Sequence, residues 1–129
     1  MAAKGLYTAK LKTLDLHGIS RLSKASKGSL KDLPHLKILN LSACSILELE
    51  KGWLEGVTHQ NLEVLDLSKN PLTRLEAHSI AALQNNMLIN LSKLKWVSFS
   101  GCHSLSTMDG DTFNFVPSLE YLFLQVSVL

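Results

Sequence analysis

The stretch LEVLDLSKNPL, Leu62 to Leu72, decides how the rest of the chain is read. Its centre alternates with period two: Leu65 and Leu67 share one face and Asp66 the other, which is strand periodicity. Asn70 follows at the ninth place. The same phrase returns as LKTLDLHGI from Leu11, LKILNLSACSI from Leu36, LKWVSFSGC from Leu94 and LEYLFLQVSVL from Leu119. Successive starts lie 25, 26, 32 and 25 residues apart. Each strand is too short to bury its apolar row alone. Stacking neighbours in parallel buries the rows as one continuous core.

The second half of each unit repeats as well. Leu30, Leu33, Pro34 and Leu36 fill it in the first unit, Leu54 and Val57 in the second. Ile80 and Leu83 fill it in the third, and Phe113, Val116, Pro117 and Leu119 in the fourth. With these spacings the chain resembles leucine-rich repeat proteins over residues 11–129. The subtype is similar to the typical repeats of Toll-like receptor ectodomains and related cell-surface proteins, most closely in NPLTRLEAHSIAAL, Asn70 to Leu83. The resemblance implies an α/β-type solenoid: a right-handed coil, a parallel concave sheet of about five short strands, and a convex side of loops and short helices. Residues 1–10 are then an N-terminal flank. The third unit is too long, which predicts an extra turn or bulge near residues 84–90. Ile19 and Ser127 stand where Asn or Cys is expected, and no cysteine-rich cap is present. A fragment needing further coils or caps is therefore the expectation.

Of 129 residues 27 are leucine, and the length suits one domain. Charged residues make up 19%, too few for a disordered chain of high net charge. No apolar run approaches the ~18 residues that cross a bilayer, so no membrane insertion is expected of this segment. Met1 to Lys10, with Lys4, Tyr7, Thr8 and Lys10, hold no signal-peptide core. Charge is uneven: residues 1–37 carry eight Lys/Arg against Asp15 and Asp32, whereas residues 38–129 carry five against nine carboxylates. No aromatic interleaving accompanies the basic part, which argues against nucleic acid.

The ninth position has its own chemistry. There the backbone leaves the ladder, and its polar groups need other partners. Asn can both donate and accept, and Cys is a small buried substitute with a weak S–H donor. Cys44, Asn70 and Cys102 form this structural set. The two cysteines lie two coils apart, roughly 10 Å by strand spacing, too far for a disulfide.

Five histidines form no metal-ligand pair, and no hydrolase, P-loop or dinucleotide motif is present. Asp109-Gly110-Asp111 lacks calcium-loop spacing and reads as a turn. No catalytic residue, cofactor or metal is expected. Alternation instead places three columns on the concave face: Thr13, Ile38, Val64, Trp96, Tyr121; then Asp15, Asn40, Asp66, Ser98, Phe123; then His17, Ser42, Ser68, Ser100, Gln125. The candidate binding residues are Trp96, Tyr121 and Phe123 at one end and Asp15, Asp66 and His17 toward the other. Two N-x-S triplets make Asn90, and less so Asn40, candidate glycosylation sites. Two readings stand. One is a non-catalytic module that binds a protein or glycan, part of a receptor or adhesion ectodomain and extracellular. The other is a cytosolic scaffold, such as the sensor region of an intracellular immune receptor.

Overall fold

A computed structural model describes residues 10–56 and 60–125. The flank 1–9, Val57, His59 and Ser127 lie outside the described residues. The strands are β1 (Thr13–Asp15), β2 (Lys24–Ala25), β3 (Ile38–Asn40), β4 (Glu48–Leu49), β5 (Val64–Asp66) and β6 (Arg74–Leu75). They continue with β7 (Ala82–Gln84), β8 (Met87–Ile89), β9 (Trp96–Phe99), β10 (Thr107–Met108) and β11 (Tyr121–Leu124). Five of them form one parallel sheet in the order β1-β3-β5-β9-β11, each pair in the same register. The chain is a parallel β-solenoid. The inward apolar residues of its interior coils are fully buried: Leu39 and Leu41, Leu65 and Leu67, then Val97 and Phe99.

The exit from each strand follows one scheme. The eighth residue of the first four units takes a positive φ: Gly18 (77°), Ala43 (54°), Lys69 (57°) and Gly101 (71°). This left-handed turn costs a non-glycine residue roughly 1 kcal/mol. It is held because the N–H groups of Gly18, Ala43 and Lys69 donate to Ser42, Ser68 and Ser100 carbonyls one coil on, at 2.8–2.9 Å. At the ninth position the Asn70 Oδ1 accepts from the N–H groups of Cys44 (2.9 Å) and Ile46 (3.0 Å). Its Nδ2 donates to the Leu41 (2.9 Å) and Leu67 (3.0 Å) carbonyls. One buried amide thus ties the second coil to the third. The Cys44 thiol donates to the Leu16 carbonyl at 3.0 Å and the Cys102 thiol to the Leu67 carbonyl at 3.3 Å. Both cysteines are free.

The convex side corrects one expectation. Among the described residues there is no helix; the return segments are successive turns with short parallel pairs, β2 with β4 and β6 with β10. In the first two coils the reason is local. Gly28, Gly52 and Gly56 adopt φ of 72–88°, which stops a helix from propagating. The i→i+3 bonds Ser29 to Ser26, Lys31 to Gly28 and Leu33 to Leu30 satisfy the backbone instead. Trp53, which the repeat pattern does not single out, is fully buried here, and its indole N–H donates to the Ser79 carbonyl at 2.9 Å.

The long third unit contains an antiparallel hairpin, β7 with β8, turned by Asn85 and Asn86 at φ 52° and 60°. Two consecutive left-handed residues make the turn that matches strand twist, and Asn tolerates this conformation best after Gly. The step from Leu30 to Leu33 in the first coil becomes Ile80 to Leu91 in the third. Both ends of the excursion are fully buried, so the extra chain loops out without breaking the core.

Two stability predictions result. Asn70→Ala should cost about 3 kcal/mol, because it takes the amide from the Cys44 and Ile46 N–H groups and from the Leu41 carbonyl. Ala43→Gly should instead gain about 0.5–1 kcal/mol by relieving the left-handed turn. Chemical denaturation of both variants checks the opposite signs.

Candidate functional site

The strands deliver their outward side chains to the concave face in register. Ile38, Val64, Trp96 and Tyr121 face each other across β3, β5, β9 and β11 and form a continuous apolar column. Ile38 and Tyr121 are exposed, while Val64 and Trp96 are half-buried between neighbours. Phe123 stands opposite Ser98, and its ring meets Trp96 with centroids 5.5 Å apart and planes inclined at 49°. Tilted ring pairs at this distance are favourable. Trp96, Tyr121 and Phe123 are therefore brought together, with Tyr121 57% and Phe123 44% exposed.

The acidic candidates are arranged differently. Asp15 and Asp66 lie on β1 and β5, two strand spacings apart, with β3 between them. Each spends one carboxylate oxygen on the strand exit. Asp15 Oδ1 accepts from His17 N–H at 3.1 Å, and Asp66 Oδ1 from Ser68 N–H at 3.0 Å. Asn40 does the same for Ser42 (3.0 Å) and Ser98 Oγ for Ser100 (3.2 Å). The whole column thus caps the turn two residues on, a local side-chain-to-backbone bond typical of Asp, Asn and Ser. Only Phe123 in the last strand lacks an acceptor. Sequence alternation correctly points these side chains outward but says nothing of this second task. The recurring D/N/S-x-(H/S) dipeptide spacing was the available signal.

His17 is exposed, and its Nδ1 lies 2.6 Å from Asp15 Oδ1. The His17 side chain and then its N–H hold the Asp15 carboxyl below its ordinary range. Asp66 also accepts from the Ser68 hydroxyl at 2.6 Å. On the convex side Lys24 and Glu50 pair at 2.8 Å, which raises the lysine and lowers the carboxyl. Burial pushes the Cys102 thiol up, away from the thiolate that redox or metal chemistry requires. Asp109 bonds Arg74 at 3.0 Å and its carbonyl accepts from Thr112, so the Asp109–Asp111 stretch is a braced turn. Among the described residues no group of three His, Cys, Asp or Glu could hold a metal, and no helix is long and apolar enough to cross a membrane.

The two N-x-S triplets fall in unlike places. Asn90 is exposed just after β8. Asn40 is half-buried within β3, its amide oxygen engaged by Ser42.

The leucine rich repeat family model matches residues 34–93, from the end of the first coil through the third. No curated protein matches the chain. Together with the parallel solenoid, the family match supports a leucine-rich repeat protein.

The Asp15–His17 contact can be read directly. A carboxyl depressed in the folded state adds stability above its unfolded pKa and loses it as pH falls through the folded value. Carbon NMR titration of Asp15 should give a midpoint below that of a free aspartate, and His17→Ala should move it upward. A midpoint indifferent to His17 would remove the pair.

Proposed function

We propose that this leucine-rich repeat chain is a non-catalytic protein-interaction module whose partner docks on the concave sheet at its aromatic end. The Trp96–Phe123 contact beside exposed Tyr121 carries this reading. Amphipathic rings held on a rigid sheet lose little conformational entropy on binding, and such residues dominate interface energetics. Ile38 and Val64 extend the apolar surface toward Asp66, Asp15 and His17, whose remaining polar atoms orient the partner. The partner is a protein or glycan ligand and not a nucleic acid, since no aromatic interleaving accompanies the basic part of the chain.

The wider reading is part of a Toll-like or adhesion receptor ectodomain, extracellular, in which further coils or caps complete the array. Asn90, exposed beside the hairpin, is the glycan acceptor in that setting, whereas Asn40 is already engaged. A second reading, a cytosolic scaffold or the sensor region of an intracellular immune receptor, draws support from the two free buried thiols. These compartments differ in one observable. Protein from its native source that shifts in mobility on N-glycosidase treatment, with the shift lost in Asn90→Gln, supports the extracellular reading, and an unshifted chain supports the cytosolic one.

For the docking face, peptides selected on the wild-type chain should lose tenfold or more in affinity with Trp96→Ala or Phe123→Ala, the scale of hot-spot truncation. Convex-side Leu47→Ala should leave affinity within about twofold, as energetically neutral surface does. The reverse pattern sinks the concave site.

A further inference from the structure

Closing the third coil needs only the two anchors of its excursion, Ile80 and Leu91, both fully buried. The β7–β8 hairpin between them is nevertheless packed down onto the convex side, where Leu83 is 7% exposed. Leu83 lies over Gly52 of the second coil. A Cβ at Gly52 would meet Leu83 Cδ2 at 2.8 Å and Lys27 Cγ at 3.0 Å. Gly52 also holds a φ of 85°, so conformation and space both exclude a side chain there. This bare stretch of backbone lets the hairpin of the third coil, the turn of the second and the Lys27 stem of the first converge.

Their convergence leaves a cleft of about 380 Å³, lined by Lys27, Glu50, Lys51, Leu83 and Asn86. That volume lies at the small end of the range for ligand pockets. Its apolar part is Leu83 with the methylenes of Lys27. Its charge is unbalanced. The Glu50 carboxylate is occupied, pairing with Lys24 Nζ at 2.8 Å and accepting from the Lys27 backbone N–H. Among the described residues no carboxylate stands within ion-pair distance of the Lys27 or Lys51 ammonium. Asn86, exposed at the tip of the hairpin, adds an amide. Residues 24–31 carry Lys24, Lys27 and Lys31 and no carboxylate, a local field that draws anions.

We infer that this convex cleft binds an acidic side chain of an extended protein segment, its carboxylate between the Lys27 and Lys51 ammonium groups and its methylenes against Leu83. The mixed lining selects among anions. Phosphate or sulfate would engage the ammonium groups and leave Leu83 in water, whereas a carboxylate on an aliphatic stem uses both. The cleft lies on the convex side, away from the concave aromatic column, and does not rest on that reading.

Fluorescence anisotropy of the whole chain with a labelled peptide of alternating glutamate and alanine tests this, with a glutamine–alanine peptide as the neutral control. The acidic peptide should bind saturably, the neutral one should not, and added salt should weaken binding. Lys27→Met, which keeps the stem, and Lys51→Met should each weaken binding about twofold to fivefold, the scale of one exposed ion pair. Lys93→Met, outside the cleft, and Trp96→Ala, on the concave face, should leave it unchanged. Amide NMR signals of Gly52, Leu83 and Asn86 should shift with the peptide. A thermal melt by circular dichroism confirms that each variant is folded. Absence of saturable binding overturns the proposal, as does binding indifferent to Lys27 and Lys51 or lost in Trp96→Ala. Displacement by inorganic phosphate at matched charge also overturns it, because the cleft would then take small anions rather than an acidic segment.

Discussion

Every coil of this protein has to leave a strand and turn into the core, and at that corner backbone groups lose their ladder partners. Burying them unpaired would cost more than the leucines beside them could offset. The structure meets this constraint with side chains and carbonyls at four consecutive or near-consecutive places. The fifth residue of the unit caps the seventh, the eighth turns left-handed and donates forward, and the ninth fills the space beneath. Asn70 is the fullest expression, binding two N–H groups and two carbonyls on adjacent coils. Cys44 and Cys102 take the same place with one weak donor each, which suffices because Asn70 already serves the Cys44 N–H. The stacking of leucines depends on this corner, since it fixes the register in which they meet.

That corner also limits what the concave face is free to do. Asp15, Asn40, Asp66 and Ser98 point outward yet are half committed to the backbone, so their exposed atoms are a remainder rather than a dedicated site. The apolar column beside them has no such task. Ile38, Val64, Trp96 and Tyr121 cap no backbone group, and Ile38 and Tyr121 stay exposed despite their apolar bulk. The aromatic end is thus the part of the face least explained by folding. The thickened third coil leaves this face undisturbed, because the β7–β8 hairpin emerges on the other side between two buried anchors, Ile80 and Leu91.

A repeat array differs from a closed fold in carrying the same pattern from coil to coil in one direction. The first and last described coils differ in side chains: Lys10 and Lys12 precede β1, whereas Glu120 precedes β11 and its Leu122 and Leu124. The shared direction comes with parallel stacking, since every strand runs the same way and every ladder bond has a direction.

Leucine spacing alone determined that the chain coils, how many strands line the sheet, which side chains face in or out, and where the ninth-position set stands. Local alternation and burial dictate those features, and both are written in residue type. The amino-acid order also marked the third unit as too long, but an excess of residues carries no shape. Only the tertiary structure decided that the excess is a hairpin, because that depended on two asparagines finding left-handed φ values together. It likewise replaced the expected short helices with successive turns, broken by glycine in the first two coils. It recruited the Asp15 column to the backbone and seated Trp53 under Ser79. The Trp53–Ser79 bond joins neighbouring coils 26 residues apart, so no short window along the chain contains both partners; the hairpin, the turns and the capping column are local in sequence, but residue type alone does not fix the φ values on which they depend.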